Sequence, residues 1–249
     1  MEFTTKAAAK RLTGLTYLGG YNKSVKHRKA EKYNELTYAL YLAPAKTSGY
    51  EVCPGRTAEC TKLCLNESGL NTMVQDVKGE HINDSRIIKT KLFFEQPEFF
   101  MKWLIFEINA SITKAKKLNF AFSVRLNNTS DISPEDFQLD GKNILEIFPS
   151  VTFYDYSKLA SRAELMKKYP NYDLTYSYNG YNLPECKTML ENMIKVAVVF
   201  KVVPLTFMGY PVIDGDLNDL RYRDEPTVIG LAYKRTRHPL PADVKFVIQ

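Results

Sequence analysis

Thr37-Tyr-Ala-Leu-Tyr-Leu-Ala43, closed by Pro44 and followed by Cys53-Pro-Gly-Arg-Thr-Ala-Glu-Cys60-Thr-Lys-Leu-Cys64, is the stretch from which the fold can be read. An apolar and aromatic run this short reads as a buried strand rather than a helix. Similar runs recur at Phe120–Arg125, Val151–Tyr156, Tyr172–Ser177, Lys195–Phe200, Pro211–Ile213 and Thr227–Tyr233. Between the first two, from Asp84 to Lys117, the residues Phe93, Phe94, Phe99, Phe100, Leu104, Ile108 and Ile112 follow helical spacing. Pro97 is placed to open the second of two helices there. Shorter helical stretches cover Arg162–Lys168 and Pro184–Met193. Strands every roughly 20–30 residues with helices between predict βα units, hence a single α/β domain with a mainly parallel sheet. Right-handed crossovers can curl such strands into an open or partial (β/α) barrel. A doubly wound open sheet is the alternative.

The loop after the first strand carries the strongest chemical signal. Three cysteines in C-x6-C-x3-C spacing, with Cys186 the only other one in the chain, are not a disulfide framework, which would spread an even set along a short secreted chain. They read as three metal ligands, Cys53, Cys60 and Cys64. The first reading is an iron–sulfur cluster, 4Fe-4S in the first instance, whose fourth iron takes a small molecule, water or a fourth protein ligand. Zinc is the alternative, although structural zinc sites usually show a C-x2-C pair that is missing here; unligated thiols are the third reading. Cys186 could supply a fourth thiolate or be a buried, inert residue. The N-terminus Met1–Lys6 lacks the apolar core of a secretory signal, and no apolar run approaches the roughly 20 residues that span a bilayer. A cytoplasmic location, where thiols stay reduced, is the expectation, with no membrane partner.

Polar residues gather where the strands end. In parallel α/β folds the C-terminal strand ends form the active-site face. The candidates there are Arg125, Asp131, Asp155, Lys158, Asp214 and Asp216 for catalysis, and Asn127, Ser177 and Asn179 for holding a cofactor or ligand. If Thr37–Ala43 belongs to the same sheet, its loop brings the cysteines to that face. Each group also has a plainer reading: Asn127–Asp131 as a turn and helix cap, Asp214-Gly-Asp216 as a simple turn, and Tyr154-Asp155-Tyr156 as sheet packing. The three histidines, His27, His81 and His238, make no metal or catalytic motif, and no phosphate-binding glycine loop is present.

With 45% hydrophobic and 25% charged residues the composition is that of an ordinary globular protein, so the net charge of +6 matters mainly for where it sits. Residues 1–50 hold nine lysines and arginines (6, 10, 11, 23, 26, 28, 29, 32 and 46) against three glutamates, which accounts for the whole excess. Residues 1–35 are therefore set apart as a basic segment, ahead of an α/β domain at 36–249. Tyr17, Tyr21 and Tyr33 between the charges could stack on the bases of a nucleic acid while the cations follow its backbone. A solvated surface is the plainer reading.

Taken together, Leu42-Ala-Pro44 with the cysteine loop, Arg125-Leu-Asn127-Asn128-Thr-Ser-Asp131-Ile, Phe153-Tyr154-Asp155-Tyr156-Ser-Lys158, Asn171-Tyr172-Asp-Leu-Thr175 and Val212-Ile-Asp214-Gly-Asp216 resemble the phage family called gene product 88, from about Gly20 to the C-terminus. That resemblance implies a bacteriophage or mobile-element origin. A three-cysteine loop after the first strand of a βα barrel also resembles, loosely, the plan of radical S-adenosylmethionine enzymes, whose spacing is C-x3-C-x2-C. S-adenosylmethionine is accordingly a candidate cofactor. The expectation is an iron–sulfur protein, leaning to an enzyme of radical or redox chemistry on a small molecule. The alternative is a nucleic-acid-binding protein of phage replication with a structural metal.

Overall fold

The computed structural model describes residues 1–21, 24–64, 79–234 and 240–249, the side chains of residues 79–83 excepted. Lys23, His238 and the side chain of His81 therefore lie outside the described residues. The strands are β1 (Gly19–Tyr21), β2 (Glu35–Leu40), β3 (Ala121–Arg125), β4 (Gln138–Leu139), β5 (Lys142–Asn143), β6 (Thr152–Ser157), β7 (Tyr172–Ser177), β8 (Lys195–Phe200), β9 (Thr206–Phe207), β10 (Tyr210–Asp214), β11 (Val228–Ala232) and β12 (Val247–Ile248). Ten of them form one sheet, in the order β1-β2-β3-β6-β7-β8-β11-β10-β9, with β12 also on β8; β4 and β5 make a separate hairpin. All pairings from β2 through β10 are parallel, and the antiparallel β1 and β9 close the two edges.

From β2 to β8 the sheet is laid down strand by strand in one direction, with β11 next. Among the parallel steps only that from β10 back to β11 reverses, and its connection, through residues 214–224, crosses the face opposite the helices, so the sheet is not wound in two equal halves about a central switch point. Right-handed crossovers that all step the same way put their helices on the same face. That face is apolar. Tyr38, Val124, Phe153 and Tyr172 share one row across it, and Tyr176, Val196, Val228 and Val212 another. The sheet is mostly parallel and is not closed into a barrel.

The helices form where the sequence spacing indicates. Gly79–Glu95 stops before Pro97, and Pro97–Leu118 begins with that proline at its first turn. Proline has the helical φ built in and lacks only an N–H that would go unpaired there. The second helix ends at Asn119 in the left-handed conformation, its amide bonding back to Ala115. It buries Phe99, Phe100, Met101, Trp103, Leu104 and Ile108 against the sheet, each worth about 1.5–3 kcal/mol in apolar burial.

The basic N-terminal segment is built into this core. Glu107 of the long helix accepts the N–H of Leu18 and Gly19 and the hydroxyl of Tyr38 (2.8 Å), and Ala9, Leu15 and Leu18 join the main apolar cluster.

The opposite sheet face is polar yet covered. Glu35, Thr37, Ser123, Tyr154 and Thr175 on it are nearly inaccessible. The segment 214–224 crosses this face like a strap, with the helix Val25–Ala30 beside it. Arg223 bonds Glu35 (2.6 Å), Tyr222 packs on Tyr154, and Asp219 meets Arg125, Tyr156 and His27. Sheets covered on both faces are normally apolar throughout. Here the second face holds its buried polar groups with ion pairs.

Candidate metal centre

The cysteine loop starts at the C-terminal end of β2 and lies against the ends of β3, β6 and β7. Its anchors are backbone groups. Val52 carbonyl accepts the N–H of Asp131 (2.6 Å), and Leu42 carbonyl accepts the hydroxyl of Thr129 (2.6 Å). Cys53 N–H donates to Glu51 (2.9 Å), which is also clamped by Arg56 (2.8 Å). Thr57 caps the short helix Ala58–Lys62, accepting the N–H of Cys60 and donating to the carbonyl of Asn179 (both 3.1 Å). On the far side, Glu59 accepts the N–H groups of Lys245 and Phe246 and the hydroxyl of Tyr181. The loop is thus fixed from three strand ends and the C-terminal segment, which the sequence order anticipated only in part.

Cys53, Cys60 and Cys64 form no disulfide and are half-buried. The N–H of Ala45 points at the Cys53 sulfur (3.5 Å). Burial pushes the Cys53 thiol up to about 12, against the pull of Ala45 N–H and Lys158. Lys158, half-buried just after β6, has its stem against Gly55 of the loop; burial would lower its pKa, yet the charges of Cys60, Asp131, Cys53 and Cys64 hold it above the ordinary lysine value. Arg86 is buried with its guanidinium over the Tyr41 ring, and Cys64 is among the charges acting on it. Cys186 is elsewhere. It is fully buried among Tyr176, Met189, Leu190 and Val196 in the helical layer, and burial raises its pKa to about 12. Among the described residues no three His, Cys, Asp or Glu side chains converge on one point as a single ion would need. Three thiolates that each bound a separate iron of a cluster would not have to meet at one point, as the ligands of a single zinc at about 2.3 Å must.

The remaining candidates divide. Asn127 and Asp155 form a closed structural pair on the helical side. Asp155 accepts the backbone N–H (3.0 Å) and side-chain amide (2.8 Å) of Asn127, whose oxygen takes Ser130 and Ile132. Asp131 accepts Ser157 hydroxyl (2.7 Å) and Lys158 N–H (3.0 Å), and Arg162 binds its carbonyl (2.7 Å). Asn127, Asp131 and Asp155 therefore shape the wall on which Cys53 rests. Asn179 and Ser177 hold the turn after β7: Asn179 oxygen accepts Tyr181 N–H, and Ser177 carbonyl accepts Asn182. Asp214 is exposed and closes its own turn onto Asp216 N–H (2.7 Å). Asp216 pins the strap through Lys26 (2.9 Å) and Lys234 (3.1 Å). Arg125 alone of the catalytic candidates lies in the buried polar face, paired with Asp219 and stacked on Tyr156 (4.5 Å). Asp219 and His27, both buried, had no local sequence signal beyond polarity; only the strap's path joins them.

Asp155 also sets a pH response. Burial raises its carboxyl to about 6, only partly opposed by the Asn127 hydrogen bonds. Between about pH 4 and 6 the native state then binds more protons than the unfolded chain, so this group makes the fold lose stability as pH rises through that window. Urea midpoints across pH 4–7 are expected to show that decline, and Asp155→Asn to flatten it; an unchanged slope in the variant would place its origin elsewhere.

A family model described as gene product 88 matches residues 11–245. No curated protein and no solved structure matches the chain. Among the described residues no helix is long and apolar enough to cross a membrane.

Proposed function

The chain belongs to the gene product 88 family, a phage family, and we propose that it is an iron–sulfur protein whose Cys53, Cys60 and Cys64 hold a four-iron cluster beside a small-molecule site, acting in a reducing cytoplasm. The observation that carries this reading is one loop presenting three half-buried thiols, none in a disulfide, at the C-terminal edge of a parallel sheet, with the stem of Lys158 packed on the loop at Gly55. Cys186 is packed away in the helical layer, which leaves no fourth thiol near the loop among the described residues and favours an open coordination position. When bound, such a cluster supplies one-electron chemistry to a molecule at that position, and the reading is of an enzyme. Asp131 fixes the Lys158 backbone beside the loop, while Arg125, paired with Asp219 under the strap, serves the fold. S-adenosylmethionine remains a candidate ligand, although the cysteine spacing departs from C-x3-C-x2-C. Anaerobic purification should give a brown protein with iron and sulfide near four per chain. A colourless protein holding one zinc per chain would sink the proposal.

A second reading, nucleic-acid binding, is supported by the exposure of Arg28 and Lys32 beside Tyr33, and of Lys10 and Arg11 near Tyr17. It is weakened because Lys26 and Lys29 are spent on the strap, through Gly215 carbonyl (2.9 Å) and Asp216 carbonyl (2.8 Å). Deleting residues 1–35 would remove β1 and part of the core, so the fair test is Arg28→Gln with Lys32→Gln. If this surface binds single strands, log Kd against log salt should lose about 0.7 of slope per phosphate contact removed. Equal slopes for variant and parent would end the reading.

A further inference from the structure

We infer that the groove between the helix Gly79–Glu95 and the turns after β3 and β6 is a binding site for a small organic cation, an ammonium carried on a flat apolar body. The inference goes beyond the iron–sulfur reading and stands apart from it: of the cysteine loop, only Glu51 and Pro54 line this groove.

The groove has a volume of about 660 Å³, within the roughly 300–1,000 Å³ of small-molecule pockets. It lies beyond the C-terminal ends of β3 and β6, the side of a parallel sheet where ligands bind. Its inner wall is apolar: Phe93, Ile132 and Leu165 line it and are buried. Phe94, 39% exposed, forms the outer wall. That ring is fixed on two sides, stacked on Tyr50 (4.4 Å, 10° between planes) and edge-on to Phe93 (5.0 Å, 87°). Phe93 in turn packs on Phe137 (4.7 Å). An aromatic wall already held in place adds little ordering cost when a ligand docks.

The polar rim consists of acceptors. Arg162 is the only cationic side chain among the described residues lining the groove, and it is engaged within the fold. At 5% exposure it donates to the carbonyls of Ile132 (3.0 Å) and Asp131 (2.7 Å) and pairs with the Asp131 carboxylate (3.5 Å). Glu51 is occupied by Arg56 and the Cys53 N–H. The turn Pro134–Asp136 brings two carboxylates with acceptor capacity left over. Glu135 receives both the Lys168 ammonium (2.6 Å) and the Tyr169 hydroxyl (2.9 Å) on Oε1, and no described residue donates to its Oε2. Asp136, beside it, is exposed, and no described residue donates to its side chain. Ionised carboxylates accept and cannot donate. They repel an anion, take one hydrogen bond from an alcohol, and meet the three donors of an ammonium with charge-assisted bonds. Phenyl rings beside them add cation–π attraction. Wall and rim together therefore select an apolar body with a cationic end.

The test is a saturation-transfer NMR titration of the full chain, as purified and at constant salt, with 2-phenylethylammonium. Its neutral and anionic counterparts, 2-phenylethanol and 3-phenylpropionate, are titrated alongside. The ammonium should bind about tenfold more tightly than either. In the double variant Glu135→Gln with Asp136→Asn, both at the surface turn, that preference should disappear. Phe94→Ala should weaken the ammonium and the alcohol alike. No binding of the ammonium to the wild-type chain, or equal affinity for the three compounds, overturns the inference, and neither result depends on a variant folding. An ammonium held by the double variant as tightly as by wild type overturns it as well, because binding then lies elsewhere. Iron content enters none of these readings. Failure of the groove leaves the cluster reading standing, and a chain without iron leaves the groove standing.

Discussion

Asp219→Asn is expected to cost the fold about 3–5 kcal/mol, because it strands a buried guanidinium. The Asp219 carboxylate is almost inaccessible and accepts from Arg125, His27 Nε2 (3.1 Å) and Tyr156 hydroxyl (3.3 Å). Burial alone would raise its pKa, but Arg125 and His27 outweigh burial and hold it well below the usual carboxylate range. The sign follows: Asp219 stabilises the fold above the ordinary aspartate pKa, and this contribution is lost as pH falls below it. It therefore opposes Asp155, whose effect runs the other way at higher pH. A loss of 3–5 kcal/mol in a chain of this size corresponds to a Tm lower by roughly 10 °C. Asp216→Asn, at a partly exposed pair with Lys26, should cost less than about 1 kcal/mol. Calorimetry or urea unfolding of the two variants separates a latch built on a buried ion pair from one spread along the strap. Equal, small losses at both positions would rule out the buried pair. Arg125→Leu combined with Asp219→Leu should recover part of the loss, since removing both charges is far less costly than orphaning one.

The second large effect is on metal rather than stability. Cys53→Ser, Cys60→Ser and Cys64→Ser in one chain should abolish iron and sulfide binding. The far-ultraviolet spectrum should stay unchanged, because the loop is anchored by Val52, Leu42, Thr57 and Glu59 through groups that the substitutions leave alone. Cys186→Ser should do the reverse. It places a hydroxyl in the apolar setting of Met189, Leu190 and Val196 and is expected to cost about 1–3 kcal/mol with full iron retained. Iron lost on Cys186→Ser, or kept by the triple variant, would contradict the assignment of the site.

Much of the architecture was legible because it is local. β7 and β8 fall on the residues marked by their apolar runs, and the break at Pro97 follows from proline's missing N–H. The shorter strands escaped notice for an equally local reason: β9 and β12, of two residues each, are too brief for an alternation to register. The first strand runs Glu35–Leu40 instead of Thr37–Ala43, since a buried glutamate does not read as strand until Arg223 is seen to neutralise it.

The proposed site is named in the sequence by its cysteines, whereas its surroundings are not. Cysteine spacing along one loop is written in the chain itself, so Cys53, Cys60 and Cys64 could be named from sequence. Which polar strand-end residue faces which side could not be, because alternation divides a strand's side chains into two sets without saying what covers either. Asp155 falls on the helical side and Tyr156 on the strap side for that reason, one residue apart. The same holds for His27 and Asp219, 192 residues apart, and for Lys158, whose neighbours come from loops after β2 and β3. By itself the sequence determined the order of strands and helices and the three cysteines of one loop. The tertiary structure decided the rest, because burial and pairing of charge depend on what the chain lays across the sheet, and that is set by contacts between segments far apart in sequence.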